Sequence, residues 1–234
     1  MKNFLNNNVR KINDENLCHK RLITFLNPYS YLLARDNAVL FNSFDKIYLD
    51  GIALVKIFKL FGLSDVNRTS FDMTSLAPVV FLDAIKNKQS IYFIGSKPKV
   101  IDKAVQIIKD NFHELNIVGY RDGYFSNNEK RSKTIQAINE IAPDIVVCGM
   151  GTPVQEQFLV DLKDAGWNGV GYTCGGFLHQ TAESIYYYPE WTDKYHLRWA
   201  YRIYDEPKLF KRYFIQYPKF LILFIFDFIK YKLL

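Results

Sequence analysis

Pro143–Asp144–Ile145–Val146–Val147–Cys148–Gly149–Met150–Gly151–Thr152–Pro153–Val154–Gln155–Glu156 is an apolar, β-branched run that stops at two spaced glycines and restarts on a proline. An unbroken apolar run suits a strand covered on both faces. Two glycines let the backbone turn tightly, and Pro153 presets the backbone of a helix's first turn. The stretch therefore predicts a buried parallel strand over 143–148, a tight turn, and a helix over 155–165.

The same unit recurs on either side. Residues 90–94 form an apolar run ending at Gly95, followed by helical spacing over 100–111, and residues 116–120 precede a helix over 128–140. A last short strand at 169–174 runs into Gly175 and Gly176. Towards the start, strands at 22–26 and 46–49 stop at Asn27–Pro28 and Asp50–Gly51, and a helix is expected over 75–88. Strands alternating with helices of this length imply parallel βαβ units, hence an α/β fold with a doubly wound, mainly parallel sheet. Ligands of such sheets bind outside the carboxyl ends of the strands, where Asn27, Asp50, Gly95, Gly149, Gly151, Gly175 and Gly176 are expected.

With 234 residues, 49% hydrophobic and 16% aromatic, the chain has enough apolar material for a sizeable core and is not a disordered segment. The three cysteines, Cys18, Cys148 and Cys174, are far apart and suggest neither a zinc site nor a disulfide framework. The opening residues lack a secretory signal, so a cytoplasmic location is expected. Residues 1–20 are expected to be a polar leader, 21–195 the core, and 196–234 a C-terminal appendage. The net charge is +6, and the stretch 207–234 holds six basic residues (Lys208, Lys211, Arg212, Lys219, Lys230, Lys232) against Asp227 alone. Charge concentrated in this way argues against a general nucleic-acid surface and for one local basic contact. The apolar run 220–226 in that appendage is far short of the roughly 20 residues that span a bilayer. Basic residues interleaved with Phe, Tyr, Leu and Ile suit a segment lying in the membrane interface. A helix packed on its own body or on a second copy in a homo-oligomer is the alternative.

Several residues at the strand ends carry chemistry. Asp50 follows a strand directly, where a carboxylate can take a proton from an acceptor hydroxyl or merely cap a helix at an Asp–Gly turn. Arg68 and Asp72, four apart, suit a helix-surface ion pair or a polar pair facing the cleft. Amides near Gly149 and Gly151 at the start of the following helix can receive a diphosphate. Gln155 and Glu156 are candidate sugar or ribose contacts, and Glu156 would also complement the helix dipole. His179, Gln180 and Thr181 follow the last strand end, where polar groups can line the same pocket, and His179 is a candidate substrate contact. The aromatic run Tyr186–Tyr187–Tyr188–Pro189 with Trp191 can stack on a sugar or pack the appendage against the body. The position of a third fingerprint glycine is Val154, which weakens a nicotinamide reading.

In order along the chain, Asp50–Gly51, Arg68 with Asp72, Gly119–Tyr120 with Gly123–Tyr124–Phe125, the Gly149-x-Gly151-x-Pro153-x-Gln155–Glu156 block, Trp199-x-Tyr201–Arg202, Glu206–Pro207 and Arg212–Tyr213 resemble the WecG/TagA/CpsF family of bacterial glycosyltransferases. The resemblance implies a Rossmann-like core and an inverting, metal-independent transfer, without cofactor, from a nucleotide-sugar donor to a polyprenyl-diphosphate-linked acceptor. The donor expected is a UDP-sugar. It implies that Asp50 is the general base, that Gln155 lies near substrate, and that Asn27, Arg68 and Asp72 border the pocket. It also implies a basic appendage that meets the inner face of the cell membrane and helps complete the site, with Arg202 and Arg212 contacting diphosphates. The chain departs from the family pattern at Leu178–His179, Ala182–Glu183, Tyr187–Tyr188 and Phe71, where donor selectivity is expected to be written. A nucleotide-binding oxidoreductase and a non-catalytic membrane scaffold are the competing readings.

Overall fold

The computed structural model describes residues 4–13, 21–195 and 197–233. Residues 14–20 of the leader, Cys18 among them, and His196 lie outside them. The elements run α1 (Phe4–Asn13), β1 (Leu22–Leu26), α2 (Pro28–Asp36), α3 (Ala38–Asn42), β2 (Lys46–Leu49), α4 (Ile52–Leu60), α5 (Leu76–Lys86), β3 (Ser90–Gly95) and α6 (Pro98–Asn111). They continue with β4 (Asn116–Arg121), α7 (Asn128–Ile141), β5 (Ile145–Gly149), α8 (Val154–Asp164), β6 (Val170–Thr173), α9 (Phe177–Glu183), α10 (Glu190–Lys194), α11 (Arg198–Asp205) and α12 (Tyr217–Leu233). A 3-10 turn, Pro207–Leu209, and a π-helical stretch, Arg212–Gln216, join the last two helices.

All six strands form one sheet in the order β2-β1-β6-β5-β3-β4, and every pairing is parallel. This is the Rossmann-like, doubly wound α/β architecture that the alternating pattern predicts. β5 is buried along its whole length because helices cover both faces, and for that reason it carries no polar alternation. The close approach of β3 and β5 depends on Gly95, whose φ is +147° and whose added Cβ would lie 2.4 Å from the Gly149 carbonyl oxygen. Only glycine tolerates both conditions.

The register brings the chemistry together. Leu26 pairs with Leu49, so β1 and β2 end level, and the Asp50 amide donates to the Leu26 carbonyl at 2.7 Å. Asn27 and Asp50 therefore leave the sheet side by side. Asn27 caps α2: its side-chain oxygen accepts the Tyr29 and Ser30 backbone amides at 3.0 Å, while its own backbone N–H donates to the Ser30 hydroxyl at 2.8 Å. Because backbone N–H groups only donate, this fixes the amide's orientation, and what Asn27 offers the cleft is an N–H donor.

The two ends of the chain close one of the cores. In the stretch whose composition predicts a polar leader, α1 instead buries Phe4, Leu5 and Ile12. These pack with Tyr31, Phe41 and Phe58 of the body and with Phe220 and Phe224 of α12. The apolar face of α1 was hidden by the asparagines interleaved with it. Burying three large side chains on one short helix supplies, at about 1.5–3 kcal/mol each, far more than its intrinsic helix propensity.

Candidate active site

Two cavities open beyond the carboxyl ends of β1, β2, β5 and β6. One, about 400 Å³, is polar and lies over the sheet, lined by residues that include Gly151, Thr152, Gln155, Thr173, Gly175, Gly176, Gln180 and Asp72. The other, about 700 Å³, lies against the appendage, where Trp199, Tyr213, Phe214 and Tyr217 face Ile52 and Ala53. Asn27, Asp50, Arg68, Tyr188, Arg202 and Arg212 line both, so Asp50 stands at the waist between them.

The Asp50 carboxylate does not cap α4, whose N-cap is Gly51 with no side-chain hydrogen bond. It receives the Arg68 guanidinium instead: Nη2 lies 3.0 Å from Oδ1, and Nε donates to the Asp50 carbonyl at 2.6 Å. The Asp50 side chain keeps 35% exposure and lines both cavities. Burial pushes its carboxyl above the ordinary aspartate value, Arg68 pulls against that rise, and the neighbouring Asp72 adds to it.

Arg68 and Asp72 pair across an irregular loop, at 3.1 Å, and not on a helix surface. Asp72 is a hub: it accepts the Ser70 hydroxyl at 2.5 Å, the Thr74 amide at 2.9 Å and hydroxyl at 2.7 Å, and Arg198 of α11 at 3.1 Å. Burial alone would raise its carboxyl, but Ser70, Arg68, Thr74 and Arg198 together hold it below the usual range. Arg198 also stacks on Tyr188, its guanidinium carbon 4.5 Å from the ring centre. The appendage is thus pinned over the cleft by a charge-assisted bond and a cation–π contact. Arg202 bonds Glu206 at 2.9 Å, its Nε is buried with no partner among the described residues, and Arg212 covers the Tyr29 ring at 4.4 Å.

Of the residues expected from sequence, Asn27, Asp50, Arg68, Asp72, Gly151, Gln155, Arg202 and Arg212 meet at these cavities. Three do not. Gly149 is packed inside the sheet end, where a Cβ would lie 2.8 Å from the Cys174 sulfur. Glu156 is wholly buried below the polar cavity, because it occupies the inward side of the first turn of α8. His179 is exposed on the outer side of α9, and its neighbour Gln180 is the one turned inward, donating to the Tyr188 hydroxyl at 3.2 Å. Gln180, one of the polar residues expected after the last strand end, lines the polar cavity, whereas Ser70, Thr74, Thr173 and Arg198 were not singled out by sequence. Only Arg198, in the basic aromatic appendage, left a signal that could have been followed. Among the described residues no group of three or more His, Cys, Asp or Glu side chains is placed to hold a metal ion.

Comparison with known proteins matches residues 1–233 to the glycosyl transferase WecG/TagA/CpsF family. A UDP-Gal:alpha-D-GlcNAc-diphosphoundecaprenol beta-1,4-galactosyltransferase of Shigella boydii is 39% identical over 204 residues, covering 87% of this chain and 85% of the relative. An N-acetylglucosaminyldiphosphoundecaprenol N-acetyl-beta-D-mannosaminyltransferase of Bacillus spizizenii is 31% identical over 189 residues, covering 80% and 70%. The hydride-transfer and scaffold readings fall away, and with a two-chambered cleft on a parallel sheet the chain is a glycosyltransferase that belongs to the WecG/TagA/CpsF family.

Proposed function

We propose that the protein transfers a sugar from UDP to a polyprenyl-diphosphate-linked sugar, with inversion at the anomeric carbon. The observation that carries this is Asp50 at the waist shared by the two cavities. The polar cavity suits the nucleotide-sugar, and the aromatic one, continuous with the appendage, suits the lipid-linked acceptor. An acceptor hydroxyl entering from one chamber meets the anomeric carbon from the side opposite the leaving group in the other. Asp50 takes the hydroxyl proton, the new glycosidic bond forms, and the bond to the phosphate oxygen breaks. Arg202 and Arg212, lining both chambers, balance the charge that develops on the departing diphosphate. The two relatives act on diphosphoundecaprenol-linked sugars and one uses UDP-galactose, so UDP-galactose with GlcNAc-diphosphoundecaprenol is the first pair to test.

The appendage supports peripheral attachment. Among the described residues no helix is long and apolar enough to cross a membrane. α12 buries Phe220, Phe224 and Asp227 against the body and exposes Leu221, Ile222, Ile225, Phe226 and Ile229 beside Lys219 and Lys230. The helix itself begins at Tyr217, which lines the aromatic cavity. Laid in the membrane interface, it would deliver the cavity mouth to a lipid-borne acceptor.

Asp50→Asn keeps the size and the Arg68 contact but removes the base. The expected result is a loss of turnover of about 10²–10⁴-fold with unchanged circular dichroism. Full activity in that variant would remove Asp50 from its role.

A further inference from the structure

Below the polar cavity, Glu156 collects hydrogen bonds on a single oxygen. Its Oε1 accepts the Thr24 hydroxyl at 3.0 Å, the Thr152 hydroxyl at 3.2 Å and the Gln155 amide nitrogen at 3.0 Å. Thr24 in turn accepts the Thr173 hydroxyl at 2.9 Å. Gln155 accepts the Gly175 backbone N–H on Oε1 at 3.2 Å, and its Nε2 also reaches the Thr152 hydroxyl oxygen at 3.3 Å. The orientation of the Gln155 amide is therefore forced: a backbone N–H can only donate, so the oxygen faces Gly175 and both amide hydrogens turn inward.

Counting hydrogens then fixes the character of the floor. A hydroxyl has one hydrogen to give and an amide has two. Thr24 and Thr152 spend theirs on Glu156, Thr173 spends its own on Thr24, and Gln155 spends both on Thr152 and Glu156. Thr152, Gln155 and Thr173 all line the cavity, and on their side chains only oxygen lone pairs remain for whatever enters it. Donors lie elsewhere on the wall, at Asn27, Arg202 and Arg212.

We infer that buried Glu156 is a positioning residue that sets the hydrogen-bond polarity of the cavity floor, so that Thr152, Gln155 and Thr173 offer acceptors only and hold the hydroxyls of the transferred sugar. The inference rests on the reading of this cavity as the donor site. Phosphate oxygens, being acceptors, are repelled by such a floor and drawn to the arginine side, which orients the donor within the cleft. Glu156 can play this part as a neutral acid: burial pushes its carboxyl above the ordinary glutamate value, and its Oε2 has no partner among the described residues. A proton on Oε2 leaves Oε1 as a carbonyl acceptor, an arrangement that a glutamine amide reproduces.

The test compares binding of UDP with that of UDP-galactose by calorimetry, on the full chain, after wild-type transfer from UDP-galactose has been shown. Absence of that transfer would count against the donor-site reading itself. Glu156→Leu leaves the inward donors without their acceptor and is expected to weaken UDP-galactose by about tenfold or more while UDP stays within about threefold. Glu156→Gln should recover the discrimination. Thr173→Val removes one floor acceptor with little change of volume and provides the same comparison should the leucine variant fail to fold; it should weaken UDP-galactose alone by about tenfold. Equal losses for UDP and UDP-galactose would place the nucleotide, and not the sugar, on this floor and overturn the inference, as would an unchanged ratio in Thr173→Val.

Discussion

Asp50 is held between opposing influences, and the role as base proposed for it depends on their balance. Burial raises its carboxyl while the Arg68 guanidinium at 3.0 Å lowers it, and burial prevails. A base must be ionised to work, so kcat/KM should fall on the acid side at a pH above the ordinary aspartate range. Arg68→Met removes the opposing cation, and since an opposite charge at this range is worth about 1–3 pKa units, the acid limb should move to higher pH by about that much. An acid limb that stays in place would show that Asp50 is not the group titrating. At this scale the sequence was legible wherever the cavity lining coincides with a strand end, which is why Asp50 and Asn27 could be named in advance as cleft residues. It was not legible where one step around a helix decides the matter. His179 and Gln180 differ by about 100° on α9, and local sequence does not say which of the two faces inward. Nor could it reveal the Arg198–Asp72 contact, whose partners are 126 positions apart.

Among the elements, the buried strands were legible because an all-parallel sheet demands continuous apolar runs, and β1 and β2 fall at their expected bounds. α12 was harder. Its apolar run 220–226 is the middle of a helix of 17 residues that is apolar nearly all round, so hydropathy could not separate the face on the body from the face turned away. The acid that the tail's charge balance counts as a minor offset proves to be the anchor. Asp227 is buried, takes Arg35 Nε on both oxygens at 3.0 and 2.9 Å, and accepts the Tyr31 hydroxyl at 3.1 Å. These contacts tie α12 to α2, the helix that Asn27 caps at the waist of the site. Asp227→Ala leaves a guanidinium and a phenol without that acceptor, which should lower the unfolding free energy by about 1–3 kcal/mol, read from the denaturant midpoint. An unchanged midpoint would mean that the apolar contacts of Phe220 and Phe224 hold the helix unaided.

For the whole molecule, charge, apolar surface and cleft are arranged about one edge. Most of the net charge falls in 207–234, and α12, which starts at the aromatic cavity with Tyr217, exposes the apolar residues Leu221, Ile222, Ile225, Phe226 and Ile229. Cations attracted to anionic headgroups and side chains inserted at the acyl boundary act together, with surface potential worth about 1 kcal/mol per Lys or Arg. Two outward residues, Phe226 and Ile229, lie far along α12 from the cavity and take no part in lining it. Changing both to Glu should abolish sedimentation with vesicles rich in anionic lipid, since each change removes apolar burial and adds repulsion. Transfer to a short-chain, water-soluble acceptor should continue at close to the wild-type rate, because the waist residues and the Asp227 anchor are untouched. Undiminished vesicle binding would mean that some other surface meets the membrane. Loss of transfer to the soluble acceptor as well would mean that α12 builds the cleft from both faces, and that recruitment and catalysis are not separable in this chain.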